Sequence, residues 1–196
     1  MGIVSRAADI YYTFRFLKTL VTKWEDMPAY KLGIIDDSGN YIWDKEKSMT
    51  GEEKDAYTIF HRLVFNIKRL MQKVPFGRSR LASYAAALFL LREHTDMSEE
   101  DMAKVLADAG VDIDSFLPEE TQWNIQEDQQ LSPGIYVLEN DMPSPTTGEM
   151  IYRAGTKVSV AENTKPCGSV FGENIYTIRH VGTKTNLYVA ASDIYR

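Results

Sequence analysis

The 196-residue chain is 44% hydrophobic and 11% aromatic, which is enough for one large or two small folded domains and excludes wholesale disorder. Its formal net charge of −6 argues against a protein that coats nucleic acid along its whole surface. The single cysteine, Cys167, excludes an internal disulfide and fits a reducing cytosol. The longest apolar run, residues 81–91, is too short to cross a bilayer and the opening residues lack a signal-peptide core, so we expect no membrane partner.

The N-terminal part of the chain predicts a helix, after which the spacing of the apolar residues changes. Apolar residues recur at three- and four-residue steps from 3 to 23, which predicts a first helix. The next segment, KLGIIDDSGNYIW, places good turn residues between two β-favouring runs. We therefore expect a β-hairpin inserted between helices.

Three further helices are predicted before residue 110. A second helix is expected over about 50–73, because its TGEE start has the spacing of a capping box. Residues 79–94 predict a third helix, rich in alanine. Ser98 with Asp101 predicts the start of a fourth helix, and Gly110 ends it.

The composition changes after residue 110 and again after residue 130. Residues 111–130 contain six acids and no lysine or arginine, which is typical of an acidic linker. From 131 onward, about five short runs rich in Val, Ile and Tyr are separated by turn residues. The ending LYVAASDIYR resembles the last turn and strand of SH3-like barrels. We therefore predict an α+β chain with a helical domain carrying an inserted β-hairpin (1–110), an acidic linker (111–130) and a small SH3-like β-barrel (131–196).

The second helix is basic in an acidic chain. Residues 54–80 hold seven basic side chains against one acid, whereas 93–128 hold twelve acids against one lysine. At 100° per residue, an apolar stripe centred on Leu63, Ile67 and Leu70 lies opposite the charged face. We expect these three residues to be nearly fully buried. One aromatic residue, Phe65, falls among the arginines on the charged face.

Three interpretations of this basic face are open. It could pair internally with the acidic fourth helix or linker, it could be a solvated surface, or it could contact another chain or nucleic acid. An aromatic ring among arginines is common at interfaces and base-stacking sites, but it equally follows if the inserted hairpin packs over this face. The candidate partner-binding residues are Arg62, Phe65, Arg69, Lys73, Arg78 and Arg80.

Patterns for catalysis and for cofactors are sparse. The chain has no G-x-x-x-x-G-K-[ST] phosphate loop. Its three histidines, at 61, 94 and 180, share no metal-ligand spacing with one another or with the cysteine. We interpret His61 as a half-buried helix residue, and we expect a non-enzymatic protein with no catalytic residues, no metal site and no cofactor.

Several segments resemble one family. MGIVSRAAD, YKLGIID, FHRLVFNIKRL, LASYAAALFLL and the closing YVAASDIY are similar to small proteins encoded by tailed bacteriophages, especially T4-like and marine myoviruses. The resemblance covers nearly the whole chain. It implies a viral origin, expression in a bacterial cytoplasm and a role in the virion or its assembly.

Two functional hypotheses follow from these patterns. The first is a structural or assembly component of a phage particle, located in the virion and in the host cytoplasm during assembly. Its partners would be other phage structural proteins or further copies of itself. The second is a cytoplasmic accessory protein that binds nucleic acid through the basic helix 54–80.

Overall fold

The computed structural model describes residues 3–44, 48–73, 80–110 and 128–196; the side chains of 3–10, 73 and 80–84 lie outside the description. The fold is α+β, with helices first and an antiparallel sheet after them. The helices of the described residues are α1 (Ile3–Val21), α2 (Pro28–Lys31), α3 (Gly51–Ala56), α4 (Ile59–Lys73), α5 (Arg80–Thr95) and α6 (Glu99–Asp108). The strands are β1 (Gly134–Leu138), β2 (Met142–Pro143), β3 (Met150–Tyr152), β4 (Lys157–Val160), β5 (Pro166–Val170), β6 (Glu173–His180), β7 (Asn186–Ala190) and β8 (Ile194–Tyr195).

The predicted second helix is two helices. The capping box is confirmed, because the Thr50 side chain accepts from the Glu53 amide while the Glu53 carboxylate accepts from the Thr50 amide. The helix then ends, since Tyr57 has φ −136° and ψ 52°. Thr58 donates its amide to His61 Nδ1 at 3.3 Å as α4 begins. The single helix that we expected over 50–73 was therefore wrong, because Tyr57 leaves the helical conformation and buries its ring.

The other predicted helices are confirmed to within two residues at each end. The Ser98 hydroxyl accepts from the Asp101 amide and caps α6, which ends ahead of Gly110 at φ +85°. The side chain of Ser98 therefore satisfies one of the amides that a helix start leaves unpaired.

The inserted hairpin is a tight loop with one bridge and no regular strand. Ile35 pairs with Tyr41, and the Asp36 carboxylate accepts from the amides of Ser38 at 2.9 Å and Asn40 at 2.7 Å. Burial acts to raise the pKa of Asp36, but the hydrogen bonds from the Asn40 side chain and from these two amides outweigh it and lower that pKa. Gly39, at φ +75°, leaves no room for a side chain, because a Cβ would lie 2.5 Å from the Trp24 ring. The loop is thus held against the indole of Trp24.

The sheet has the strand order β5-β6-β4-β1-β8, with β7 paired to β6 on the edge opposite β5. Strands β2 and β3 form a separate pair within the loop after β1. These pairings do not close into a ring among the described strands. The β half is an antiparallel sheet, but its described strands do not close into the barrel that we expected. Short strands such as β8 leave open edges.

The helices and the sheet share an apolar core. Helix α5 packs on β5, β6 and β7, and the buried residues Val170, Ile175 and Ala190 join the core cluster of α4, α5 and α6. Gly168 allows the close approach, since a Cβ there would lie 2.6 Å from the Phe89 ring. The predicted linker falls largely outside the described residues, so the division into 1–110, 111–130 and 131–196 stays a prediction.

Candidate functional site

Helix α4 packs against α1 and α5. Its apolar stripe is buried as predicted at Leu63 and Ile67, both 0% exposed. Leu70 is only partly buried, which corrects the expectation of near-complete burial, because it lies at the wall of an open cleft. The opposite face of α4 is also covered, so its polar side chains have neighbours within the chain.

Phe65 lies in the core and has an exposed fraction of 3%. Its ring meets Trp24 edge-on, with centroids 5.3 Å apart at 82°, and also lies beside Tyr57 and His61. The hairpin and its flanking segment pack over this face and form a second apolar cluster with Phe65. The expectation that Phe65 presents its ring to a partner is therefore corrected, because the ring is covered by its own chain.

Arg62 attaches α4 to the loop before β3. Its Nη1 donates to the carbonyl of Thr147 at 3.0 Å and lies 4.0 Å from the Glu149 carboxylate. The guanidinium also lies over the Tyr57 ring, 4.9 Å from its centroid. Arg62 therefore joins α4 to a loop that lies 85 residues further along the chain.

Asn66 and Arg69 lie on the same face of α4 as Arg62, one and two turns further along the helix. Asn66 donates to the carbonyl of Gly148 at 2.8 Å and accepts from Arg69 Nη2. Arg69 Nη1 donates to the carbonyl of Gly39 at 2.9 Å. Burial lowers the pKa of Arg69 from its usual value. Arg62, Asn66 and Arg69 thus connect α4 to the hairpin on one side and to the loop before β3 on the other.

The remaining basic side chains divide into two groups. Lys68, a residue that we did not select, has an exposed fraction of 5%; its ammonium donates to the carbonyl of Thr22 and lies 4.6 Å from the Trp24 ring centroid. The side chains of Lys73, Arg78 and Arg80 lie outside the described residues, so their assignment to a partner site stays a prediction.

The pairing of the basic face with the acidic fourth helix, one of the three interpretations, is not observed, and the acidic linker falls largely outside the described residues. Within the described part of the chain, no ion pair joins the basic residues of α4 to acids of 93–110. The cations of α4 instead meet backbone carbonyls, aromatic rings and Glu149. Sequence periodicity could place these arginines on one face, but it carried no signal for carbonyl acceptors some 30 to 85 residues away.

A cleft of about 650 Å³ opens between α4, the hairpin and the loop residues 139–154. Arg69, Asn66 and Tyr57 contribute from the helical side, and Asp141 and Arg153 from the β side. The rings of Tyr41 and Tyr57 stack at 5.1 Å and 22°. Burial raises the pKa of Tyr57 to about 12 and also raises that of Tyr41. A cleft of this volume that is lined by side chains with shifted pKa values is a candidate binding site.

A second surface of interest lies on α1. Tyr11, Phe14 and Val21 are 56%, 66% and 58% exposed, and Lys18 lies among them. Steps of three and four residues place these side chains on one face, opposite the buried Phe16 and Leu20. Sequence analysis missed this face. A usable signal was that apolar residues surround most of the helix, which is more than one core can cover.

His61 and Asp193 are ionisable side chains outside the cleft whose pKa values are strongly shifted. His61 Nε2 lies 3.1 Å from Arg15 Nη2, and burial together with that guanidinium lowers the pKa of His61 to about 4. The ring is half-buried, as predicted. Asp193, in the 3-10 turn before β8, has an exposed fraction of 1% and accepts from the Ala190 amide at 2.7 Å. Burial raises the pKa of Asp193 to about 8.

Comparisons with known proteins return no relative. No family model, no curated protein and no solved structure matches the chain. Within the described ranges, no cluster of three or more His, Cys, Asp or Glu residues could hold a metal ion. None of the described helices is long and apolar enough to cross a membrane.

Proposed function

We propose that this chain is a non-enzymatic structural or assembly component of a tailed-phage particle, located in the virion and in the host cytoplasm during assembly. The observation that carries the proposal is the exposed face of α1. Phe14, at 66% exposed, is flanked by Tyr11 and Val21 on a helix whose Phe16 and Leu20 pack into the core. Apolar side chains grouped on one face support docking on another protein. The resemblance of several sequence segments to phage proteins supports the particle as the setting.

The chemistry of the α1 face favours a different protein over a second copy as the partner. Lys18 is the charged residue among Tyr11, Phe14 and Val21. A second copy would bring its own Lys18 to the contact, and like charges in an interface repel. The expected partner surface is apolar with a carboxylate placed opposite Lys18.

We infer that the β half is an SH3-like module. Support comes from the short β2–β3 pair in the loop after β1 and from the 3-10 turn Ala191–Asp193 before the last strand. The last strand returns to the first, with Leu138 paired to Ile194. The ending LYVAASDIYR is the segment that resembles such barrels.

Mass spectrometry of purified particles of a phage that encodes this chain tests the proposal. We expect stoichiometric amounts of the protein, or its enrichment in assembly intermediates. A Phe14→Gln variant should be incorporated at least fivefold less well. The matched control is Ile42→Gln, since Ile42 is also more than half exposed, at 56%, on a different surface.

Other outcomes of this experiment point elsewhere. If the protein is lacking from both particles and intermediates, the proposal fails. Equal incorporation of the two variants would show that α1 is not the docking face. Dimers that Phe14→Gln dissociates would indicate self-association. Binding to single-stranded DNA that weakens with added salt would favour the nucleic-acid hypothesis, for which Lys73, Arg78 and Arg80 are the remaining candidates.

A further inference from the structure

We propose that the cleft beside α4 binds a small polar ligand through one anionic group, a carboxylate or a phosphate monoester, held by the guanidinium of Arg69. This inference is independent of docking through α1. It rests on the position of Arg69 in the cleft, on the carboxylate partners of the other cations near it and on the groups around them.

The cleft has the size of a ligand site, and its lining is rich in polar side chains. Its volume of about 650 Å³ lies within the range of pockets that hold small molecules. Asn40, Asn66 and Asn140 line it. The amide of Asn66 is hydrogen-bonded to Gly148 and Arg69 and that of Asn40 to Asp36, and Asn140 adds a third amide that can both donate and accept. Tyr41 and Tyr57 add aromatic surface. Such walls suit a compact polar body that carries one charged group.

The other cations near the cleft already have carboxylate partners. Arg153 Nη1 lies 2.8 Å from the Asp141 carboxylate, and Arg62 Nη1 lies 4.0 Å from that of Glu149. Both arginines are therefore at least partly neutralised within the chain. An added anion would have to compete with these carboxylates.

Arg69 differs from both. The acceptors of its hydrogen bonds are neutral, namely the carbonyl of Gly39 and the side-chain oxygen of Asn66. Asp36 and Asp141 are close enough to influence its pKa, yet among the described residues no carboxylate forms an ion pair with it. Because a largely desolvated cation without an ion-pair partner is unfavourable, an anion that enters the cleft gains a strong contact there.

The shape of the Arg69 side chain favours a planar or tetrahedral oxyanion. A guanidinium offers a fixed fork of donors that matches carboxylate and phosphate oxygens. Its hydrogen bonds to Gly39 and Asn66 hold the fork in one orientation, so little rotamer entropy is lost on binding. Arg69 is thus a binding residue that is positioned before the ligand arrives.

Titration of the full chain with small aromatic anions tests the proposal. The probes are benzoate and phenyl phosphate, and the matched neutral probe is benzamide. Proton–nitrogen spectra should show saturable shifts at the Arg69 side chain and at residues 139–154 with the anions. The neutral probe should bind at least tenfold more weakly. The preferred anion then identifies the carboxylate or the phosphate as the natural group.

Three variants assign the binding to Arg69. Arg69→Gln should weaken anion binding at least tenfold, and Arg69→Lys should fall between this variant and the wild type. Lys104→Gln should change affinity less than twofold, since Lys104 lies on α6 outside the cleft lining and its side chain is 63% exposed. If Arg69→Gln unfolds because the hairpin is released, the affinity of Arg69→Lys and the map of shifts on the wild-type protein still test whether Arg69 holds the anion.

Equal binding of benzamide, shifts centred on Arg153, or no saturable binding would overturn the proposal.

Discussion

The face of α4 and the β half hold themselves together in different ways. Strands β6 and β7 pair through their backbones over five residues in register. Helix α4 cannot pair in this way, because its own backbone bonds are used within the helix. It reaches its neighbours with Arg62, Asn66 and Arg69, whose acceptors include carbonyls of segments far away in the sequence. A charged helix face is therefore not by itself a free surface.

The two regions also bury ionisable groups of opposite kind. His61, in the helical region, has its pKa lowered to about 4. Asp193, in the β half, has its pKa raised to about 8. In both cases burial is the largest cause, because it disfavours the charged form. The two regions should therefore respond to pH in opposite directions.

Phe65→Ala should have the largest effect on the helical side of this comparison. Loss of a buried phenylalanine typically lowers the free energy of unfolding by about 3–5 kcal/mol, and Phe65 is 3% exposed. Urea denaturation measures the change. The control is Phe14→Ala, at 66% exposed, which should change stability by less than about 0.5 kcal/mol. A loss below about 1 kcal/mol for Phe65→Ala would mean that the ring is not in the core.

Asp193→Asn should have the next largest effect, and it tests the β side. The pKa of Asp193 is raised from 3.8 to about 8, so the folded state binds its proton more tightly than the unfolded state does. Its contribution to stability is present below pH 3.8 and is lost as the pH rises to about 8.

The asparagine variant has no such titration and keeps an oxygen for the Ala190 amide. Denaturation between pH 4 and pH 8 should therefore show a flatter slope for this variant than for the wild type. Some slope should persist, because burial also raises the pKa of Glu173. Parallel profiles for the two proteins would contradict the prediction.

His61→Gln should change the pH profile in the other direction. The pKa of His61 is lowered from 6.5 to about 4, so the unfolded state binds the proton more tightly. Its contribution to stability is present above pH 6.5 and is lost as the pH falls to about 4. Relative to the wild type, the variant should lose less stability between pH 6.5 and pH 4. A steeper acid loss in the variant would refute the assignment.

Local patterns predicted much of the fold. The capping box at Thr50, the cap at Ser98 and the stripe through Leu63 and Ile67 depend on residues a few positions apart, so the sequence displays them directly. The break at Tyr57 was missed because it depends on where that ring finds apolar neighbours. Such tertiary packing overrides helix propensity.

The candidate site was less predictable. Periodicity placed Arg62, Phe65 and Arg69 on one face but carried no information about what covers it. The covering groups are Trp24, the hairpin loop and the loop before β3, and each is brought there by the fold. For the same reason, nothing in the sequence marked Asp193 as buried among the strands.

The smallest effect that we predict separates Arg62 from Arg153, two arginines beside one cleft. Arg62→Lys keeps the charge but loses the planar stacking on Tyr57 and the directed bond to Thr147. It should lower the free energy of unfolding by about 1 kcal/mol. The loss should not be larger, because Arg62 Nε is buried without a hydrogen-bond partner and lysine lacks that donor. Arg153→Lys keeps the charge of an exposed ion pair with Asp141 and loses only the guanidinium geometry, so it should cost less than about 0.5 kcal/mol. Thermal melts of both variants in low and high salt measure the difference: only the small effect at Arg153 should vanish with salt, and equal losses would mean that Arg62 is also a surface residue.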